Sequence, residues 1–406
     1  MKQRILVFIE SNTTGTGKLL GDRCVARGIK PIYLVNDPEK YPFLGRDFDY
    51  AKADTRSVIE MQSAITEFVE SGVELTGIST SSDYYVSAAA ELAELFNMPG
   101  PSSACVQFCR DKYMLRAKLD ERSMGSVAYR LVRSQSEAVK AFEEMKTPVV
   151  VKPRRGSGSV AVLMCSEVED VEKAYAINER YCAESTDCLE DIGLLVEEYC
   201  GGDEYSVEVF DGAVVGITKK YLSGPPVFVE MGHDYPAKLD KCMSDKVVEY
   251  ITGLVSVFGL TWGALHVEIK IDGENIHLIE INPRLAGGMI PRMIALASGL
   301  DLLEAQLSRV TGQIVMLEPT KNAYSAIRFL VAAKSGVAVR RVCNGEWDDS
   351  SEIQIYFDER RELTLNGDYR DRIGHVIATA NDREALLTSA DHALMKAKEC
   401  IEIETA

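Results

Sequence analysis

The stretch HLIEINPRLAGG, His277 to Gly288, sets an acid, an amide and a base at alternate positions, Glu280, Asn282 and Arg284, in a run that is otherwise apolar. In an extended chain alternate side chains share a face. Glu280, Asn282 and Arg284 are therefore expected on one side, with Ile279 and Ile281 in the core on the other. The segment before it, LHVEIKIDGEN from Leu265 to Asn275, is a second β run ending in an Asp-Gly turn. The two runs form an antiparallel hairpin that brings Glu268 near Glu280. Two carboxylates and an amide are hard oxygen donors. Magnesium takes one or two carboxylates and completes its shell with water and phosphate oxygens, so this set beside an arginine describes a nucleotide-phosphate site. A solvated strand face fits the local pattern as well.

Two further segments carry compatible chemistry. VVVKPRRGSGSVAV, Val149 to Val162, ends an apolar strand in Lys152 and follows it with a Gly/Ser turn. Its glycines allow close backbone approach, so the turn can offer N–H groups and one ammonium to a polyphosphate. It is not a P-loop, because the lysine precedes the glycines; TTGTGKLL at 13–20 lacks the first glycine and carries Leu19 after Lys18. A plain surface hairpin explains RGSGS equally well. LVEEYCGGDEYSVEVF, Leu195 to Phe210, is a strand entering a Gly-Gly kink. It offers hydrogen-bonding groups at Glu198 and Tyr199 to a base edge, and Glu204 to ribose hydroxyls. In an acidic chain such carboxylates are also ordinary solvated positions.

The rest of the chain sets bounds. It has 406 residues, 46% hydrophobic and 26% charged, enough for two or three domains. Its formal charge of -17 argues against a nucleic-acid partner. No apolar run reaches the roughly 18 residues of a membrane span, and the first apolar run is broken by Glu10, so a cytoplasmic location is expected. Ten cysteines, among them Cys24, Cys105, Cys109, Cys182, Cys188 and Cys200, contain no CxxC pair and are expected reduced. Cys200 is read as core. Up to about Ser103, short β runs alternate with helical ones, which implies a parallel sheet with crossover helices; Ser82 or Asp83 is the expected cap of the helix after SDYY. NMPGPSS at 97–103 breaks this pattern.

Lys112 in RDKYMLR, Lys152 with its loop, the EEY…DEYSVEV strand and the Glu268, Glu280, Asn282, Arg284 set closely resemble the ATP-grasp superfamily in order and spacing. The resemblance covers essentially the whole chain. It implies an N-terminal parallel α/β domain over 1–105, an ATP-grasp region of two α+β subdomains over 106–320, and a small biotin-carboxylase-like α+β domain over 321–406. It further implies that Lys112 and Lys152 contact ATP phosphates under a loop containing Ser157, Gly158 and Ser159. Glu197, Glu198 and Tyr199 would meet adenine, and Glu204 the ribose. Glu268, Glu280 and Asn282 would hold two magnesium ions, with manganese as an alternative. Arg284 would reach the transferred phosphoryl group, and the Gly287 and Gly288 amides would stabilise developing charge.

Within the superfamily, ITKKYLSGPPVFVEMGHDYPA at 217–237 is similar to the pocket segment of L-amino-acid ligases and dapdiamide-synthase-like amide ligases. That likeness gives Glu230 to an ammonium group and His233 to a carboxylate or a reacting amine. A histidine satisfied in a loop is the competing explanation. Arg292 and Arg328 are candidate carboxylate ligands, or surface and interdomain residues. The implied activity is ATP-dependent joining of a carboxylate to an amine through an acyl phosphate, giving amide, ADP and phosphate. The implied partners are small molecules, and a homodimer is left open. The alternatives are a biotin-carboxylase-like or purine-pathway ligase, and a nucleotide-binding regulatory module without turnover.

Overall fold

The computed structural model describes residues 2–13, 15–184, 193–341 and 351–404; Thr14 of the 13–20 stretch and Cys188 lie outside them. The N-terminal alternation folds as a parallel sheet in the order Asp49–Lys52, Lys30–Val35, Arg4–Ile9, Glu74–Ser79. Ile5 to Ile9 are buried without a break, as a strand covered on both faces requires. A second sheet is antiparallel, ordered Tyr129–Val132, Leu194–Glu198, Val149–Pro153, Leu163–Cys165. Helices Gln135–Met145 and Val168–Glu184 back it through Ala138, Ala141, Val171 and Ala174.

The third sheet has eight strands, in the order Asn275–Asn282, Ala264–Asp272, Asp203–Phe210, Ala213–Leu222, Glu230–Tyr235, Tyr324–Val331, Arg372–Ala380, Ser351–Ile355. Helix Lys241–Phe258 covers one face against Val207, Val209, Val267 and Ile269. The sheet crosses the expected 320/321 boundary, since Tyr324–Val331 pairs directly with Glu230–Tyr235. The strands after 321 thereby share a surface with the 203–282 strands. Leu6, Phe8 and Tyr33 of the N-terminal sheet join Ile290, Met293, Leu303, Phe329 and Ile377 in one apolar cluster, which fixes the N-terminal layer against the end of the 275–282 strand.

The opening stretch departs from simple alternation. Glu268 pairs with Glu280 but Ile269 pairs with Leu278, so Ile279 is an extra residue in a β-bulge. The bulge turns Ile279 toward the interior cleft instead of the core, and Leu278 with Ile281 fills the core in its place. The Ile279 carbonyl accepts from Arg116 Nη2 at 3.1 Å. Asp83 also differs from expectation. The turn Asp83–Tyr85 and helix Val86–Leu95 start without a side-chain cap, and the Asp83 carboxylate is used elsewhere. Cys24, Cys105, Cys109, Cys165, Cys200 and Cys242 are free thiols, whereas Cys400 is disulfide-bonded, against the expectation of a reduced set. No helix among the described residues is long and apolar enough to cross a membrane.

Candidate functional site

The small antiparallel sheet and the large one face each other across a cleft with about 930 Å³ of empty space, part of it open to solvent. Lys152 and Glu197 come from the small sheet, and Glu204, Glu268 and Glu280 from the large one. Lys112 opens the helix Lys112–Glu121, which starts cleanly because Asp111 caps the Met114 amide.

Cross-strand register assembles the floor. Glu204, Lys220 and His233 lie opposite one another on three adjacent strands, and Glu268 lies opposite Glu280. Lys220 Nζ sits among three carboxylates: Glu268 Oε1 at 2.7 Å, Glu204 Oε1 at 2.8 Å and Glu230 Oε1 at 3.0 Å. Burial would lower the lysine, but the Glu204, Glu268 and Glu230 charges outweigh it and push its pKa well above the ordinary range. Glu230 is held well below the carboxylate range, since Lys220 and Arg372 overcome its burial. Glu204 goes the other way, raised by burial that Lys220 only partly offsets.

His266 lies between Glu208 Oε1 at 2.8 Å and Glu268 Oε1 at 3.1 Å. Burial would make it neutral, but Glu208 and Glu268 raise its pKa to about 10. Glu268 overcomes its own burial through Lys220 and His266 and falls to about 2. Asn282 Nδ2 donates to Glu280 Oε1 at 2.8 Å, and Lys112 Nζ is 3.2 Å from Glu280 Oε2. Among the described residues no group of three or more His, Cys, Asp or Glu side chains is disposed to hold a metal by itself. Magnesium asks for less from protein: two facing carboxylates and an amide oxygen suit an ion that keeps phosphate and water ligands. Glu268, Glu280 and Asn282 fit that description.

Across the cleft, Glu197 is buried between Arg116, at 2.9 Å from Nε, and Lys152, at 2.6 Å from Nζ. Burial alone would raise its pKa, yet Arg116 and Lys152 hold it at about 2. The Lys152 ammonium is itself depressed, because burial and the neighbouring Arg116 and Lys112 charges outweigh one shared carboxylate. The Glu197 side chain is thus committed to cations and does not present itself to a base. Glu198 is exposed at the rim. Tyr199 stacks on Phe228 at 6.1 Å and 15°, with Lys270 Nζ 4.6 Å from the Tyr199 ring. Val127, Val150 and Cys200 complete an apolar slot suited to a flat base. Cys200 therefore lines the cleft instead of the core, and burial raises its thiol.

The Gly/Ser loop lies closed over this slot. The Gly156 carbonyl accepts from Lys112 Nζ at 3.2 Å, and Ser157 Oγ donates to Asp83. Gly158 has φ 68 and lies against Tyr369, whose ring a Cβ would meet at 2.5 Å. Arg284 donates through Nε and Nη2 to both oxygens of Asp83. Gly288 has φ 56 and faces His233, whose Nε2 a Cβ would meet at 2.7 Å; Gly287 has open space beside it. His233 is fully buried with both ring nitrogens unpartnered, and burial lowers its pKa to about 3 against the pull of Glu230.

Two expected residues lie apart. Arg328 is taken up by Asp234 at 2.8 Å and Asp391 at 3.4 Å, and Arg292 pairs with Glu352 at the surface. Neither is among the residues lining the cleft, and of the other expected residues Asn282, His233, Arg284, Gly287 and Gly288 are not among them either. Sequence reasoning missed Lys220, Arg116, His266, Arg372 and the part played by Asp83. The signal for Lys220 was weak, because Lys219 and Lys220 are adjacent and alternation alone does not say which faces inward.

Residues 145–292 match the ATP-grasp domain model. An uncharacterized protein of Sinorhizobium fredii is 26% identical over 98% of this chain and 83% of its own length. Alanine–anticapsin ligase of Bacillus subtilis is 25% identical over 68% of this chain, which spans 63% of that protein. The L-amino acid ligase of Bacillus licheniformis superposes with a TM-score of 0.83 over the whole of both chains at 18% identity, a likeness of fold. Residues 145–292 thus match an ATP-grasp domain, inside a chain whose whole fold is like that of the L-amino acid ligase structure.

Proposed function

We propose that this ATP-grasp ligase joins the carboxylate of an amino acid or related small acid to the amine of an L-amino acid, through an acyl phosphate, releasing ADP and phosphate. The observation that carries the reading is the charge along the cleft floor: Glu280 opposite Glu268, and Lys220 held by Glu268, Glu204 and Glu230. The names of the amide-forming relatives support the substrate class. The chain is further proposed to divide at 105/106 and 320/321, with the last part lending strands to the site.

A carboxylate is a poor electrophile, and phosphorylation turns one of its oxygens into a leaving group. Lys112, Lys152 and Lys220 each rest on carboxylates in the cleft. A triphosphate brings its own negative charge and exchanges for those partners, which orients it without building a new cationic pocket. Glu268, Glu280 and Asn282 would hold magnesium, which when bound neutralises charge between the phosphate oxygens. Arg284, released from Asp83, reaches the phosphoryl group in transfer, and the Gly287 and Gly288 amides face the developing oxyanion. With a pKa near 3, His233 is a weak base. It serves as a neutral hydrogen-bonding group that orients a substrate, and Glu230 is the acceptor for an ammonium. The test is the nucleotide product formed with amino-acid pairs.

A further inference from the structure

Beside Glu230, which lines the cleft, three adjacent strands of the large sheet bring four side chains together. Glu230–Tyr235 supplies Glu230 and His233, Tyr324–Val331 supplies Phe329, and Arg372–Ala380 supplies Arg372. The Arg372 guanidinium lies 4.0 Å from the Phe329 ring centroid and donates through Nη2 to Glu230 Oε2. Its Nε is buried with no partner. Phe329 meets the His233 ring edge-on at 5.5 Å and 83°, and His233 Nε2 is 3.8 Å from the same Glu230 oxygen.

Three nitrogens here, two of His233 and one of Arg372, are buried without hydrogen bonds. Each such group, if left without a partner, costs about 1–3 kcal/mol. Glu230 meanwhile has two cations, Lys220 on Oε1 and Arg372 on Oε2. When phosphates draw Lys220, Arg372 alone still balances the carboxylate. A free α-amino acid carries an ammonium and a carboxylate one carbon apart, so it can enter this ion pair and satisfy both halves. Its amine would lie on Glu230, on the side nearer Lys220, and its carboxylate on the planar fork of Arg372, which Phe329 holds flat.

We infer that Arg372 binds the α-carboxylate of the amino acid that supplies the amine, so that a free α-amino acid is accepted in preference to its carboxamide or to a simple amine. The inference rests on the ligase reading above. It concerns a residue that neither the domain match, which ends at 292, nor the expected site set includes.

The test compares the wild type with Arg372→Gln and Arg372→Lys, using MgATP and pairs of L-amino acids, with each acceptor offered as free acid and as carboxamide. The wild type should favour the acid by at least about tenfold in kcat/KM, and Arg372→Gln should lose about that factor on the acid alone. The KM for ATP should stay within about twofold, and Arg372→Lys should recover part of the preference. Equal losses on acid and carboxamide, or a wild type indifferent between them, would overturn the assignment and leave Arg372 as a counter-charge to Glu230. If no pair consumes ATP, the ligase reading has failed, and Arg372 is then read by calorimetric titration of the proteinogenic L-amino acids with MgADP present. An amino acid bound about tenfold more weakly by Arg372→Gln supports the inference, and none so weakened overturns it.

Discussion

Arg284 grips Asp83 with two guanidinium nitrogens on two carboxylate oxygens, across 201 residues of sequence. Asp83 belongs to the N-terminal layer and Arg284 follows the strand Asn275–Asn282, so the pair ties that layer to the end of the large sheet. The same carboxylate accepts from Ser157 of the Gly/Ser loop, and its neighbours hold it well below the ordinary aspartate range despite its burial. Asp83→Asn should release the loop, with faster amide exchange across 154–160 in the nucleotide-free protein. Breaking one side of a buried pair should also lower unfolding stability by about 3–5 kcal/mol. Unchanged exchange in the loop would mean that Tyr369 and Lys112 hold it without Asp83.

The same loop should respond to nucleotide. Protection across 154–160 is expected to rise with a non-hydrolysable ATP analogue and magnesium, because the phosphates add partners for its amides. Equal protection with and without the analogue would make the segment a fixed hairpin.

Glu280 is the residue on which Lys112 and Asn282 converge, opposite Glu268. Glu280→Gln keeps the shape and removes a charge from the proposed metal set. Turnover at saturating magnesium should fall about 100-fold or more, roughly 2.7 kcal/mol. A loss within about threefold would take Glu280 out of the chemistry.

Of three buried histidines, His266 predicts an alkaline pH limb, while His233 and His375, the latter lowered from 6.5 to about 4, predict an acid one. The His266 pKa is raised from 6.5 to about 10, so its contribution to stability is complete below pH 6.5 and is lost as pH rises through 10. The His233 pKa is lowered from 6.5 to about 3, so its contribution is complete above pH 6.5 and is lost as pH falls through 3. Denaturant unfolding across pH should show both limbs. His266→Gln should flatten the alkaline one between 6.5 and 9, before buried Cys24, Cys109 and Cys165, all raised from 9.0 to about 12, contribute. An alkaline limb unaltered by that substitution would mean that His266 is not charged in the fold.

Much of the fold was legible because it rests on local periodicity. The parallel N-terminal layer, the Asp211-Gly212 and Asp272-Gly273 hairpins and the facing of Glu268 and Glu280 all follow from alternation and turn chemistry. What was missed depends on tertiary position. The bulge at Ile279 answers to an Arg116 hydrogen bond that alternation does not contain. Arg372 reaches Glu230 only because the large sheet continues past residue 321, and Asp83 has an ordinary capping sequence until Arg284 is folded against it. Arg328 stayed open between a carboxylate ligand and an interdomain residue because nothing near it in sequence reveals Asp234 and Asp391.

The central claim is most directly tested by the products formed from ATP. Purified protein with magnesium and pairs of amino acids, followed by mass spectrometry and nucleotide chromatography, should yield ADP, orthophosphate and one new amide mass. That product should require both a carboxylate and an amine, because the closed loop keeps water from the acyl phosphate. AMP with pyrophosphate would contradict the account and mean adenylation. ADP formed with bicarbonate and no amine would mean a carboxylase-like reaction, and tight ATP binding without product from any pair would mean a regulatory module.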